Sequence, residues 1–98
     1  MPVYITLLNW TEQGIRAYKD SPARAQAFAG ALTKAGGSLV DVYWTVGPYD
    51  LVCIVEASDD ESLVAALLEV GALGNVRSTT MRAFATDDME RIIAKNAG

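Results

Sequence analysis

The sequence contains no histidine and only one cysteine in 98 residues. Histidine is the commonest general base and the usual ligand of zinc and haem, so its absence disfavours zinc enzymes, haem proteins and histidine-dependent cyclases. Cys53 cannot form an internal disulfide, and with no histidine to activate it we interpret it as a small buried hydrophobe. The glycine-rich patterns that cradle phosphates are also missing. We therefore predict no cofactor and no metal site.

Positive charge is scarce as well, since eight Lys and Arg against twelve Asp and Glu give a net charge of -4. The basic residues are scattered, which disfavours a nucleic-acid surface because phosphate binding needs clustered basic side chains. No apolar run approaches the ~20 residues of a membrane span, and the N-terminus lacks the features of a signal peptide. We expect a cytoplasmic protein that contacts neither nucleic acid nor membrane.

The most informative stretch runs from Tyr43 to Ala57, where two β-prone segments flank the turn-forming residues Gly47-Pro48-Tyr49-Asp50. This pattern predicts a β-hairpin. With a symmetric loop, the predicted pairs are Val46 with Leu51, Trp44 with Cys53, Val42 with Val55, and Val40 with Ala57. These eight residues form an apolar face that we predict to be core. The opposite face is mixed, which suits a subunit interface or a ligand cleft; it carries Leu39, Asp41, Tyr43, Thr45, Val52, Ile54 and Glu56.

The N-terminal segment 2–9 is apolar at nearly every position. A strand that is apolar on both faces is normally central in its sheet. Alternation places Val3, Ile5 and Leu7 on one face, and Tyr4 and Leu8 on the other. We expect Tyr4 and Leu8 to share the mixed face of the hairpin.

Four helix starts and one more strand complete the chain. We predict Thr11 as the cap of a short helix, and Ser21 as the cap of a longer one with Pro22 at its first position. Residues 58–61 resemble a capping box led by Ser58, and we interpret their acids as helix-start partners rather than metal ligands. Residues 75–84 alternate like a strand, and Thr86 is the predicted cap of a last helix.

The element order is therefore strand, helix, strand, strand, helix, strand, with an extra short helix after the first strand and a C-terminal helix. This order is typical of an α+β ferredoxin-like sandwich, in which both helices cover one face of a four-stranded antiparallel sheet. We predict a single domain over residues 1–98. The uncovered face would be too apolar for a soluble monomer, so we expect a second copy to cover it across a twofold axis.

Three blocks of the sequence together resemble the GYD-domain family of small bacterial and archaeal proteins: LLNWTEQGIRAYKDSP, YWTVGPYDLVCIVEA and LGNVRSTTMRAF. The resemblance extends from about residue 3 to 93, and Gly47, Tyr49 and Asp50 stand where the letters of the family name fall. It implies the dimeric α+β barrel form of the ferredoxin-like fold and implies no established activity.

The hairpin alone is also similar to the amino-acid-binding domain of leucine-responsive regulators, which share a glycine, one residue and Tyr-Asp before an apolar strand. There the turn helps to build effector sites between subunits. Because this chain shows no helix-turn-helix and no basic surface, the similarity implies a stand-alone ligand module.

Two hypotheses about function follow. The first is a homo-oligomeric binding or assembly module, with a small apolar or carboxylate-bearing molecule as its possible ligand. The second is a cofactor-free enzyme resembling the monooxygenases and isomerases of this fold. Asp50 or another carboxylate would be its base, and Arg82, Asn9 and aromatic side chains would stabilise developing negative charge. We favour the first and leave catalysis open. The candidate ligand-binding residues are Asn9, Trp10, Tyr43, Trp44, Tyr49, Asp50, Arg77 and Arg82.

Overall fold

A four-stranded antiparallel sheet organises the protein, and the computed structural model describes residues 1–96. In chain order the elements are β1 (Val3–Trp10), α1 (Glu12–Arg16), a 3-10 turn (Tyr18–Asp20), α2 (Ser21–Lys34), β2 (Ser38–Trp44), β3 (Leu51–Glu56), α3 (Asp60–Ala72), β4 (Val76–Ala83) and α4 (Thr86–Ala94). The strand order β2-β3-β1-β4 puts the first and third strands in the middle, which confirms the predicted ferredoxin-like fold.

The hydrophobic core lies between the sheet and the helices α2 and α3. Side chains of β3 alternate between buried and half-buried positions, so that one face of the sheet is closed by helices and the other is not. We call these the helix face and the open face. The buried apolar residues are Tyr4, Leu8, Phe28, Leu32, Leu51, Cys53, Val55, Ala57, Leu63 and Ala66.

The predicted orientation of β1 is wrong. Tyr4 and Leu8 are 4% exposed and lie on the helix face, because β1 pairs with β3 so that Tyr4 is opposite Val55 and Leu8 is opposite Leu51. Ile5 and Leu7 therefore lie on the open face, beside Ile54 and Val52 respectively. The sequence alone could not decide which face of β1 meets the helices, because β1 is apolar on both faces.

The hairpin is confirmed, but its predicted register is wrong by two residues. Trp44 is opposite Leu51 and Val42 is opposite Cys53, so that the connecting loop spans residues 45–50. A shift of two preserves the face of each side chain, and Val42 packs against the core as predicted. An irregularity between Leu39 and Asp41 turns Leu39 toward the core and leaves Val40 54% exposed. Val46, predicted to be core, is fully exposed in the loop.

The helix starts are confirmed in position, although only one predicted cap is right. Thr11 caps α1, with its hydroxyl accepting a hydrogen bond from the Gly14 N–H at 3.1 Å. The N-cap of α2 is Asp20 instead of Ser21, because the Ser21 hydroxyl is bonded to an indole from β2. The N-cap of α4 is Ala85, one residue before the predicted Thr86.

The cap of α3 is Asp59, not Ser58. Its carboxylate accepts a hydrogen bond from the Ser62 N–H at 2.7 Å, and this bond holds the pKa of Asp59 below its ordinary value. The Ser58 hydroxyl lies next to that of Ser62 instead, at 3.4 Å. The cap is therefore displaced by one residue along the chain: Asp59 accepts from the Ser62 N–H, whereas the predicted box pairs Ser58 with Glu61.

The last helix, α4, stands apart from the body of the protein. It follows β4 after only two residues and makes hardly any contact with the rest of the described chain. None of its side chains is buried, and Met89 and Ile93 are 42% and 60% exposed. Among residues 1–96, no helix is both long and apolar enough to cross a membrane.

Candidate functional site

Asp50 ties the hairpin loop to the end of β1. Its N–H donates to the Leu8 carbonyl at 2.9 Å, and its carboxylate accepts the Trp10 N–H at 2.9 Å. Its own carbonyl accepts the Thr45 N–H at 2.8 Å. The carboxylate oxygen thus acts like a backbone carbonyl, and it extends the hydrogen bonding between β1 and β3 by one residue before β3 begins. This arrangement gives Asp50 a structural task that explains why an aspartate stands here.

The rest of the loop carries one further anchor. The Thr45 hydroxyl donates to the Tyr49 carbonyl at 2.6 Å, closing the loop across its base. Tyr49 is half-buried, whereas Gly47 and Pro48 at the tip are exposed. The predicted turn chemistry of this segment is therefore present, within a longer loop than expected.

The two tryptophans lie on the helix face at this same end of the sheet. The Trp44 indole N–H donates to the Ser21 hydroxyl at 2.9 Å and so joins β2 to the first residue of α2. The Trp10 ring packs against the core, and its indole nitrogen is buried with no hydrogen-bond partner among the described residues. A buried donor without a partner costs stability, so Trp10 is the more unusual of the two.

Three of the candidate residues lie on the open face. Asn9 and Arg77 are opposite each other on β1 and β4, near the end of the sheet. The Tyr43 hydroxyl donates to the Asp41 carboxylate at 2.7 Å on the edge strand β2, and this bond raises the pKa of Tyr43. These polar groups surround an apolar middle, as the rim of an interface does.

Arg82 lies far from the other candidates, at the opposite end of β4 and on the helix face. Its guanidinium carbon is 4.6 Å from the ring centre of Phe84 and 5.6 Å from that of Tyr4. It also donates to the Val3 carbonyl at 3.2 Å. Arg77 and Arg82 thus lie on different faces, and the eight candidates fall into three separate groups.

A pair that we did not predict lies beside Arg82. The Tyr4 hydroxyl donates a hydrogen bond to the Asp60 carboxylate in the first turn of α3. This bond, assisted by burial, raises the pKa of Tyr4. The sequence contained a signal for a second role of these acids. Asp60 is one of three consecutive acidic residues, and helix capping needs only some of them.

A cavity of about 90 Å³ lies on the helix face, between α2, α3 and the sheet. Its wall is mostly apolar, with Arg24 and Glu69 among the polar exceptions, and it includes Cys53, whose thiol pKa is raised to about 11 by burial. A thiol with so high a pKa is a poor nucleophile. Within residues 1–96, no three His, Cys, Asp or Glu side chains come together as a metal site.

Comparison with known proteins places the chain in a family. The family model described as the GYD domain matches residues 4–93. A curated protein of Thermus thermophilus, the glutamine synthetase and cystathionine beta-lyase binding protein, is 31% identical over 90 residues, which are 91% of this chain and 95% of the relative.

Solved structures agree with this assignment. TTHA0845 from Thermus thermophilus is similar with a TM-score of 0.56 and 27% identity, over 88% of this chain and 96% of that one. The leucine response regulatory protein of Mycobacterium tuberculosis has a TM-score of 0.65 at 16% identity, over 87% of this chain and 51% of the regulator. The second likeness concerns the fold alone and confirms the predicted similarity to leucine-responsive regulators. The chain belongs to the GYD-domain family.

Proposed function

We propose that this protein is a homodimeric binding module without catalysis of its own, and that its partners are metabolic enzymes. The observation that carries the proposal is the open face, which is apolar in its middle and covered by no element of the described chain. Such a face is characteristic of an interaction surface.

The composition of the open face supports pairing with a second copy. Ile5 and Ile54 are neighbours on the two central strands, and Met81 lies beside Ile5 on β4 with 45% of its surface exposed. Polar residues surround them, including Asn9 and Arg77 at one end. An apolar middle with a polar rim is the usual pattern of a protein interface, and a twofold axis would bring the same surface onto itself.

The projecting helix α4 supports the same assembly. Its apolar side chains Met89, Ile92 and Ile93 follow at helical spacing and form one stripe, on a helix that makes hardly any contact with the rest of the described chain. The helix begins two residues after β4, an edge strand whose Met81 belongs to the open face. We propose that the second copy that covers the open face also covers this stripe.

The enzyme partners are proposed from the relative. The Thermus thermophilus protein, whose name states that it binds glutamine synthetase and cystathionine beta-lyase, aligns over nearly the whole length of both chains. We propose that this protein binds enzymes of the same kind in the cytoplasm. The free buried thiol of Cys53 is consistent with that reducing compartment.

The alternative, a cofactor-free enzyme, has less support. Its candidate base was Asp50, whose carboxylate is bonded to the Trp10 N–H in a structural role. Its candidate cation, Arg82, lies at the other end of the sheet. A general base and an electrostatic stabiliser must converge on one reacting centre, and these two residues do not.

Native mass spectrometry of the purified protein tests the dimer. We expect a dimer at about 1 µM, and we expect Ile54→Lys to weaken it by about thirtyfold or more because a charge would enter the middle of the interface. Ile93→Glu should weaken it less. The control is Gln26→Lys, which adds the same charge on the exposed side of α2. A monomeric wild-type protein, or an Ile54→Lys dimer as stable as the control, would contradict the proposed assembly.

Calorimetric titration tests the partners. Purified glutamine synthetase and cystathionine β-lyase of the source organism are each titrated with the protein. Saturable binding to either enzyme supports the proposal. No heat with both enzymes at about 100 µM protein would reject these partners and leave only the assembly.

A further inference from the structure

The cavity on the helix face is unused by the proposed function. It lies on the opposite side of the sheet from the open face, so that dimerisation through that face leaves it unfilled. Phe28, Leu51 and Cys53 form part of its apolar wall, and it is bounded by α2 on one side and α3 on the other. A cavity next to a close-packed core lowers stability, because its lining atoms lose packing contacts.

Small side chains keep the cavity open. Ala25 and Ala31 of α2 both line it, where a leucine would project into the space. Filling a cavity in this way commonly stabilises a protein. The alanines therefore leave a space that a longer side chain could occupy, and a ligand of matching chemistry would recover the missing contacts.

A fixed positive charge lies at the same cavity. The Arg24 guanidinium donates to the carbonyls of Ala17 at 3.0 Å and Gly14 at 3.1 Å, which hold its orientation. Within residues 1–96, Arg24 has no carboxylate at ion-pair distance; the ion pairs there join Arg16 to Glu12 and Arg91 to Asp88. Two of its five N–H groups are used in these bonds, so that others are available for an anion.

We propose that this cavity binds a short aliphatic carboxylate, with its hydrocarbon chain between Phe28 and Leu51 and its carboxylate on Arg24. The volume of about 90 Å³ sets the size of the chain. This is the volume of about three water molecules in the liquid, and it provides space for roughly three or four carbon atoms. Both a plain carboxylic acid and an apolar amino acid carry this chemistry.

The two possible kinds of ligand, a plain carboxylic acid and an apolar amino acid, differ by the amino group. Glu69 of α3 also lines the cavity and has no ion-pair partner in the described part of the chain. An amino acid such as valine would place its ammonium group within reach of this carboxylate, whereas 3-methylbutanoate has the same carbon chain and no amine. Tighter binding of valine than of 3-methylbutanoate identifies an amino acid as the source, and the reverse order identifies a plain acid.

Isothermal titration of the full chain with 3-methylbutanoate, valine and 3-methylbutylamine tests the proposal. We expect one molecule of at least one of the two carboxylates per chain, and no binding of the amine, which lacks the group that Arg24 recognises. Arg24→Gln should weaken binding by at least about tenfold. No heat from either carboxylate at about 10 mM, or equal binding of the amine, overturns the proposal.

A second variant separates loss of the site from loss of the fold. Ala31→Leu should fill the cavity, raise the melting temperature and abolish binding. The control is Ala23→Leu, which lies on α2 outside the cavity and should bind like the wild type. Binding that survives Ala31→Leu overturns the site. Native mass spectrometry of the same samples reports the dimer separately, so that failure of this site is distinguishable from failure of the proposed assembly.

Discussion

The two ends of the sheet are held together by different kinds of interaction. At the end where β1 stops, backbone groups of β1, α1, the hairpin loop and the segment before β4 bond to one another and to the Asp50 carboxylate. At the end where β1 starts, side chains dominate: Tyr4 bonds to Asp60, and Arg82 packs on two aromatic rings. The first end combines main-chain bonds with side-chain anchors such as Trp44 to Ser21, whereas the second relies mainly on the side chains of Tyr4, Asp60 and Arg82.

The difference gives a physical meaning to the residues that mark the family. Gly47, Tyr49 and Asp50 all belong to the end where β1 stops, where the Asp50 carboxylate accepts a backbone N–H as a carbonyl would. Such a task requires an acceptor oxygen of the right reach, which an aspartate supplies. The structure therefore gives Asp50 of this motif a loop-anchoring role.

Gly14→Ala is expected to have the largest effect on stability. A Cβ atom on Gly14 would lie 1.9 Å from the backbone oxygen of Asn75, a rigid group that cannot move aside. We expect a loss of about 1–3 kcal/mol or more in the free energy of unfolding, measured by urea denaturation.

Gly30→Ala is the matched control. Gly30 lies in the middle of α2 with nothing within 4 Å of an added Cβ. The same substitution should there stabilise the protein by about 0.5–1 kcal/mol, because alanine loses less backbone entropy in a helix. A Gly14→Ala protein as stable as Gly30→Ala would show that the approach of Asn75 to α1 is not close in solution.

Asp50→Ala is expected to have the next largest effect. It would leave the half-buried Trp10 N–H without its acceptor, which costs about 1 kcal/mol, the usual net worth of such a bond. Asp50→Asn keeps an oxygen of the same reach and should recover most of the loss, as measured by thermal unfolding. If both variants are as stable as the wild type, the carboxylate has no structural role and a chemical one must be reconsidered.

Most of the fold could be predicted because hydrophobic alternation and helix-start residues are local signals. The element order, the central position of β1 and β3 and the buried face of β3 all follow from such signals. Which face of β1 meets the helices could not be predicted, because both faces carry large hydrophobic side chains, Tyr4 and Leu8 on one and Ile5 and Leu7 on the other. Only the pairing with β3 decides between them.

The candidate site was harder to predict, because its residues are polar groups whose partners lie far away in the sequence. Asp50 bonds to Trp10, forty residues earlier, and Ser21 bonds to Trp44 instead of capping its own helix. Local chemistry assigned each of them a turn or cap role. Arg77 and Arg82 were grouped by residue type, although an odd spacing along a strand places them on opposite faces.

The smallest expected effect concerns the other end of the sheet and depends on pH. The bond to Asp60, together with burial, raises the pKa of Tyr4 above its ordinary value of 10.0. A raised pKa contributes stability that is fully present below the unfolded-state value and is lost as the pH rises through the folded-state value. Between about pH 9 and about pH 11, the wild-type protein should therefore lose more stability than Tyr4→Phe, which has no hydroxyl to ionise. The control is Tyr18→Phe, which removes the hydroxyl of an exposed tyrosine that does not bond to Asp60. Urea denaturation across this range measures the difference, and parallel pH profiles for wild type and Tyr4→Phe would show that the bond to Asp60 does not hold this end of the sheet.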